Sequence, residues 1–223
     1  MTTPFEPPRA LLPEEFAELP QARFEGDVLV VETVQDALDA LKRLEGVPVL
    51  GFDTETRPTF KRGVSYSPSL VQLAGDNTVV LLRASAFGAW EALAGVLGDA
   101  GRVKAGVAVR DDLTGLGKIG PVSPKGFEDV GEWARKFGWP VTGLRNLAAA
   151  LLGVRVSKKA RLTNWEAKTL SAAQICYAAT DAWVSRELYL AMRGFKIKPR
   201  KKDSAKKDSP GRAVPGDRQC PGS

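Results

Sequence analysis

Five acidic residues and one phenol hold the chemistry that this sequence offers. Asp53 and Glu55 stand two residues apart at the end of the run Val47-Pro-Val-Leu-Gly-Phe-Asp-Thr-Glu55. That spacing on a strand means one face, so both carboxylates leave the sheet together. The apolar residues before them (Val47, Val49, Leu50, Phe52) put the pair at the end of a buried strand. Carboxylates held this close repel each other unless a proton or a cation intervenes. Asp111 and Asp112 follow the short run Val103-Lys-Ala-Gly-Val107 and open a helix, where an acid can simply complement the N-terminal dipole. Tyr177 and Asp181 are four apart and share one side of a helix, with only Ala178, Ala179 and Thr180 between them. Taken singly, each group also has a plain structural use: a strand end facing water, a helix start, a half-buried helix face.

The residue types that are missing narrow the chemistry. The 223-residue chain contains no histidine. That removes Ser-His-Asp triads, imidazole general bases and zinc sites that need His. Carboxylates without His or Cys partners are hard oxygen ligands, which favour Mg²⁺ or Mn²⁺ over zinc. Cys176 and Cys220 form no disulfide framework, as expected of a protein in the reducing cytoplasm. No run of about 18 apolar residues is present, so no membrane span is expected, and the first residues lack the charged and apolar regions of a signal peptide.

The elements that must position these groups follow from periodicity. Residues 1–22, rich in Pro and Glu, read as a loosely held arm. Val28–Val31 is a short strand. Thr33 caps a helix with Val34, Ala37, Leu38, Leu41 and Leu44 on one side, ending by Gly46. After the acidic strand, Ser69–Leu73 and Thr78–Leu82 form a hairpin around Gly75–Asn77. A helix over Phe87–Leu97, a strand over Val103–Gly106 and a helix over Ala108–Leu116 come next. Beyond Phe127–Asp129 the pattern is helical: Gly131–Phe137, Leu144–Leu152, and a long helix that Ser171 and Gln174 open as a capping box. Strands first, then alternation, then helices predict an α/β fold, a mixed sheet with helices on its faces.

Charge is unevenly spread. The net charge is +6, and from Arg193 to Ser223 ten Lys and Arg stand against three Asp. The rest of the chain is close to neutral. Residues 194–223, poor in apolar side chains, are expected to form a disordered basic tail, suited either to solubility or to a polyanion such as nucleic acid.

Gly51-Phe-Asp-Thr-Glu55, Lys104-Ala-Gly-Val-Ala-Val-Arg-Asp-Asp112 and Tyr177-Ala-Ala-Thr-Asp181 resemble the three exonuclease motifs of the DEDD superfamily, in the subclass with tyrosine in the third motif. More closely the chain resembles the exonuclease domain of the Werner syndrome protein, and more distantly ribonuclease D. Ser69–Leu73, Leu144–Gly153, the Asn164-Trp165 pair and the Leu170–Gln174 entry to the last helix also match, so the resemblance covers roughly residues 24–193. It implies a ribonuclease-H-like domain over residues 23–193, with a five-stranded mixed sheet flanked by helices. It implies Asp53, Glu55, Asp112 (rather than Asp111) and Asp181 as ligands of two divalent ions, Mg²⁺ or Mn²⁺. Tyr177 would aim the attacking water. The activity implied is 3′–5′ exonuclease action on nucleic acid 3′ ends, releasing nucleoside 5′-monophosphates. The Werner-type likeness tilts the expectation towards DNA, with an exoribonuclease like ribonuclease D, or a silent binding module, as the alternatives. Phe52 and Thr54, beside the first acid, and Lys158 and Arg161, before Trp165, are expected to touch the substrate.

Overall fold

The computed structural model describes residues 8–59, 63 and 66–195. The basic tail beyond Phe195 lies outside the described residues. Among those described, no helix is long and apolar enough to cross a membrane.

Local signals act where the sequence places them. The Thr33 hydroxyl accepts from the Asp36 amide and starts α2 (Val34–Lys42). Ser171 and Gln174 form the capping box that starts α7 (Ala172–Met192). Apolar runs become β1 (Asp27–Val31), β2 (Val49–Thr56), β3 (Pro68–Ala74), β4 (Thr78–Arg83) and β5 (Val103–Gly106). The chain enters α3 (Trp90–Gly98) through a 3₁₀ turn at Ala84–Ala89. It leaves β5 for α4 (Val109–Leu116) through Ala108, whose φ of 60° is left-handed. Next come α5 (Val130–Phe137) and α6 (Leu144–Leu147); α6 runs on as a π turn over Ala148–Leu152, where a plain α-helix was expected.

The sheet has six strands in the order β1-β4-β3-β2-β5-β6, one more than the resemblance implies. The extra strand, β6 (Phe127–Asp129), is three half-buried residues pairing in parallel with β5. So short a run leaves no periodicity to read. β2 and β3 are antiparallel, as are β3 and β4; the β1–β4 and β2–β5 pairs are parallel.

The two faces of β2 are divided by alternation. Leu50 and Phe52 join Val71, Leu73, Val80 and Leu82 in a core closed by residues of α2 and α3. Gly51, Asp53 and Glu55 are in register with Ala74, Gln72 and Leu70 on β3. Leu70 and Ala74 pack with Ala178, Ala179 and Ala182 of α7. The acids therefore leave the face that α7 covers.

The arm expected over residues 1–22 carries structure in its described part. Residues 13–18 form α1 (Pro13–Glu18), and the Ala22 amide donates to the Arg155 carbonyl while the Arg155 amide donates to that of Pro20, both at 2.9 Å. At the other end Phe195 packs edge-on against Trp139, 5.6 Å between ring centres.

Candidate active site

Helix α7 reaches the acidic strand because nothing stands between them. A β-carbon built on Gly51 would lie 1.8 Å from the Ala182 carbonyl oxygen, so only glycine lets the two backbones meet there. Asp181, one residue before Ala182, is thereby set over Asp53 and Glu55. One carboxylate oxygen from each of Asp53, Glu55 and Asp181 lies within 4.8 Å of the other two. Beyond Gly51 the pairing of β2 with β5 ends, and the opened gap at the C-terminal end of these parallel strands is where the acids stand.

Asp112 approaches from α4. It is half-buried, whereas Asp111 is exposed, and it accepts a 2.5 Å hydrogen bond from the Thr54 hydroxyl. It is not one of the three clustered carboxylates. Its charge nevertheless reaches them: burial, then Asp112, Glu55 and Asp181, hold the Asp53 carboxyl well above the usual carboxylate range. Burial and the Asp181 and Asp112 charges raise Glu55 as well. Burial pushes Asp181 up to about 7 against the pull of Tyr177, Arg145 and Arg161. The Asp181 Oδ1 atom is buried and has no hydrogen-bond partner among the described residues. Clustered oxygen donors, mutually repelled and with one lone acceptor turned inward, fit a hard divalent cation.

Tyr177 stands one helical turn before Asp181. Its ring lies 6.0 Å from that of Trp165, which is 1 % exposed and belongs to the core. Gln174 Nε2 donates to the Asn164 carbonyl and ties the start of α7 to the same loop. Burial, then Asp181 and Glu55, push the phenol far above its ordinary value.

Beside these groups lies a cavity of about 340 Å³ lined by Asp53, Arg145, Lys158, Arg161, Tyr177 and Asp181. A second cleft of about 440 Å³ is lined by Thr54 and Asp112 and carries Arg57, Tyr66 and Lys118. The structure thus gathers Asp53, Glu55, Asp181, Tyr177, Lys158 and Arg161 at one place, and sets Asp112 and Thr54 on the second cleft. Phe52 is the exception. It is 1 % exposed and its ring meets Phe127 edge-on at 5.0 Å, so the expected contact of this side chain with substrate does not hold. Strand alternation turns it into the core opposite the acids.

Arg145 is the lining residue that sequence reasoning missed. Its Nε donates to the Val156 carbonyl at 2.8 Å and its guanidinium lies 4.8 Å over the Phe16 ring of α1. Its one sequence signal was a cation inside Leu144-Arg-Asn-Leu147; nothing there said which side of the helix would face the acids.

Known proteins resemble this chain over the same span. Residues 28–194 match the 3′–5′ exonuclease family. A ribonuclease D of Gluconacetobacter diazotrophicus is 36 % identical over 168 residues, covering 73 % of this chain and 42 % of that protein. A 3′-5′ exonuclease of Arabidopsis thaliana is 31 % identical over 193 residues, covering 78 % of this chain and 66 % of that one. The chain thus spans less than two thirds of either relative. The Nibbler EXO domain of Aedes aegypti superposes with a TM-score of 0.69 and 25 % identity, over 77 % of this chain and 90 % of that one. The Trypanosoma brucei RNase D solved with RNA U12 shares the fold, with a TM-score of 0.69 at 20 % identity over 78 % of this chain and 64 % of that one. With residues 28–194 matched and Asp53, Glu55 and Asp181 gathered under α7, the chain belongs to the 3′–5′ exonuclease family.

Proposed function

We propose that the chain is a metal-dependent 3′–5′ exoribonuclease of the ribonuclease D kind and of the tyrosine subclass. The observation that carries this reading is the Asp53–Glu55–Asp181 cluster, its oxygens within 4.8 Å, opening on a cavity with Arg145, Lys158 and Arg161. Carboxylates bind the cation and the basic side chains receive phosphate, which is the charge pattern of a phosphodiester site. Relatives named ribonuclease D favour RNA over the DNA ends expected from the Werner-type likeness. A silent binding module has less support, since none of the four acids nor the tyrosine is missing.

Asp53, Glu55, Asp112 and Asp181 would hold two divalent ions, Mg²⁺ or Mn²⁺, which when bound supply the Lewis acidity that neutralises the phosphate and activates water. The remaining work belongs to the chain. Thr54 holds the Asp112 carboxylate in place through its hydroxyl. Tyr177 hydrogen-bonds the attacking water and lines it up with phosphorus; a phenol, with an ordinary value of about 10, is a poor general base near neutral pH. Arg145, Lys158 and Arg161 offset the negative charge of the terminal nucleotide. Water adds to phosphorus and the bond to the upstream 3′-oxygen breaks. A nucleoside 5′-monophosphate leaves, and the shortened strand ends in a new 3′-hydroxyl. A cavity of about 340 Å³ lies in the range of sites for one small ligand, which suits removal of one nucleotide at a time.

The test is digestion of 5′-labelled RNA and DNA of one sequence, each with Mg²⁺, Mn²⁺ or EDTA. The expected result is a ladder shortening from the 3′ end, faster on RNA, abolished by EDTA and by Asp181→Asn. Faster loss of the DNA strand would overturn the sugar preference, and hydrolysis in EDTA the metal dependence.

A further inference from the structure

Gln72 is a fully buried amide that the fold does not use. It is 0 % exposed in the middle of β3, and neither its Nε2 nor its Oε1 has a hydrogen-bond partner among the described residues. Leaving a buried polar group unpaired is costly, and an apolar residue of the same shape would avoid that cost. The neighbours Leu70 and Ala74 on the same face show what packing alone asks for here: both are apolar and fully buried under α7.

What distinguishes position 72 is its register. Gln72 is the cross-strand partner of Asp53, as Ala74 is of Gly51 and Leu70 of Glu55. Directly opposed residues on antiparallel strands have β-carbons about 4.5–5.5 Å apart and lie on one face. A glutamine side chain spans such a gap, and its amide offers two donors to a carboxylate. A third unpaired buried atom, Asp181 Oδ1, belongs to the same acid cluster under α7.

We propose that Gln72 is a positioning residue for the metal site: its amide donates to the inner side of the Asp53 carboxylate when the cluster is loaded, and so decides which oxygens Asp53 turns to the cations. This rests on the metal-dependent reading above. Side chains that orient metal ligands from behind typically contribute 10–100-fold in metal affinity or activity.

The experiment uses the full chain without nucleic acid. Mn²⁺ binding is measured by calorimetry, and thermal unfolding is followed in EDTA, for wild type, Gln72→Met and Gln72→Asn. Gln72→Met should unfold at a temperature equal to or above that of wild type, because the unpaired amide is gone, yet bind Mn²⁺ at least about ten-fold more weakly. Gln72→Asn keeps the amide but shortens its reach, and should weaken Mn²⁺ binding in the same direction; it also serves if Gln72→Met fails to fold. On RNA both variants should lower kcat and leave KM near that of wild type. Mn²⁺ affinities within two-fold of wild type would overturn the role of Gln72 and leave the metal site standing. Absence of Mn²⁺ binding by wild type itself would overturn both.

Discussion

In the proposed reaction Tyr177 acts through its hydroxyl as a hydrogen-bonding group. Its ring is held beside Trp165 and its hydroxyl sits in the field of Asp181 and Glu55, which opposes ionisation. A residue that aims water through a hydrogen bond should be separable from one that holds the fold. Tyr177→Phe keeps the ring and removes the hydroxyl. It should lower kcat by about 10–100-fold, leave KM for RNA unchanged and shift the unfolding temperature little. Steady-state kinetics beside a thermal melt check this, and a variant with wild-type kcat would remove Tyr177 from the reaction.

Two elements set the site, and each offers a test. The first is the contact of β2 with α7. Because a β-carbon at Gly51 collides with backbone rather than with a movable side chain, Gly51→Ala must push α7 off the sheet. The expected loss is about 1–3 kcal/mol or more in stability. Activity should fall further than stability, because a displacement of about 1 Å at a reacting centre costs on the order of 10²-fold. Urea unfolding and kcat on the same preparation decide it; full activity would mean that α7 is not held by this contact. The second is β5, which carries Lys104. This lysine is fully buried, donates to the Asp99 and Arg102 carbonyls at 2.5 and 2.9 Å, and is lowered to about 8 chiefly by burial. Between pH 8 and the ordinary lysine value of about 10.4, the unfolded chain holds a proton that the folded one has released. Stability from this group therefore rises with pH across that window and is flat below it. Relative to Lys104→Met, wild type should gain up to about 1.4 kcal/mol per pH unit there. Denaturant melts of both proteins at pH 7, 8, 9 and 10 measure the difference, and parallel curves would mean that Lys104 is not strained by burial.

At the scale of the molecule, the distribution of charge is proposed to set how substrate is held. Ten Lys and Arg against three Asp from Arg193 to Ser223 stand beside a nearly neutral remainder, and the tail is proposed to contact the strand beyond the pocket. Each phosphate neutralised on a single strand contributes about 0.7 to the log–log salt slope of binding. Removing residues 196–223 should flatten that slope by about 2 if three cations are engaged. KM should rise at low salt while kcat holds, because the acids and Tyr177 lie elsewhere. RNA binding from 50 to 300 mM salt tests this, and an unchanged slope would leave the tail as a solvated terminus.

The sequence by itself determined the α/β class and the caps of α2 and α7, while the resemblance to the DEDD motifs implied the four acids and the tyrosine. The class and the caps depend on local patterning: alternation on a strand, four-residue spacing on a helix, a Ser and Gln three apart. Tertiary structure alone decided which of these groups meet. Asp53, Glu55 and Asp181 form one cluster because Gly51 lets α7 down onto β2, while Asp112 is held aside by Thr54. Sequence spacing did not say that Phe52 would be sealed in the core, that Arg145 would face the cavity, or that Gln72 would be the cross-strand partner of Asp53. Each of those depends on register and on which face a distant element covers, and neither is written in any one stretch of chain.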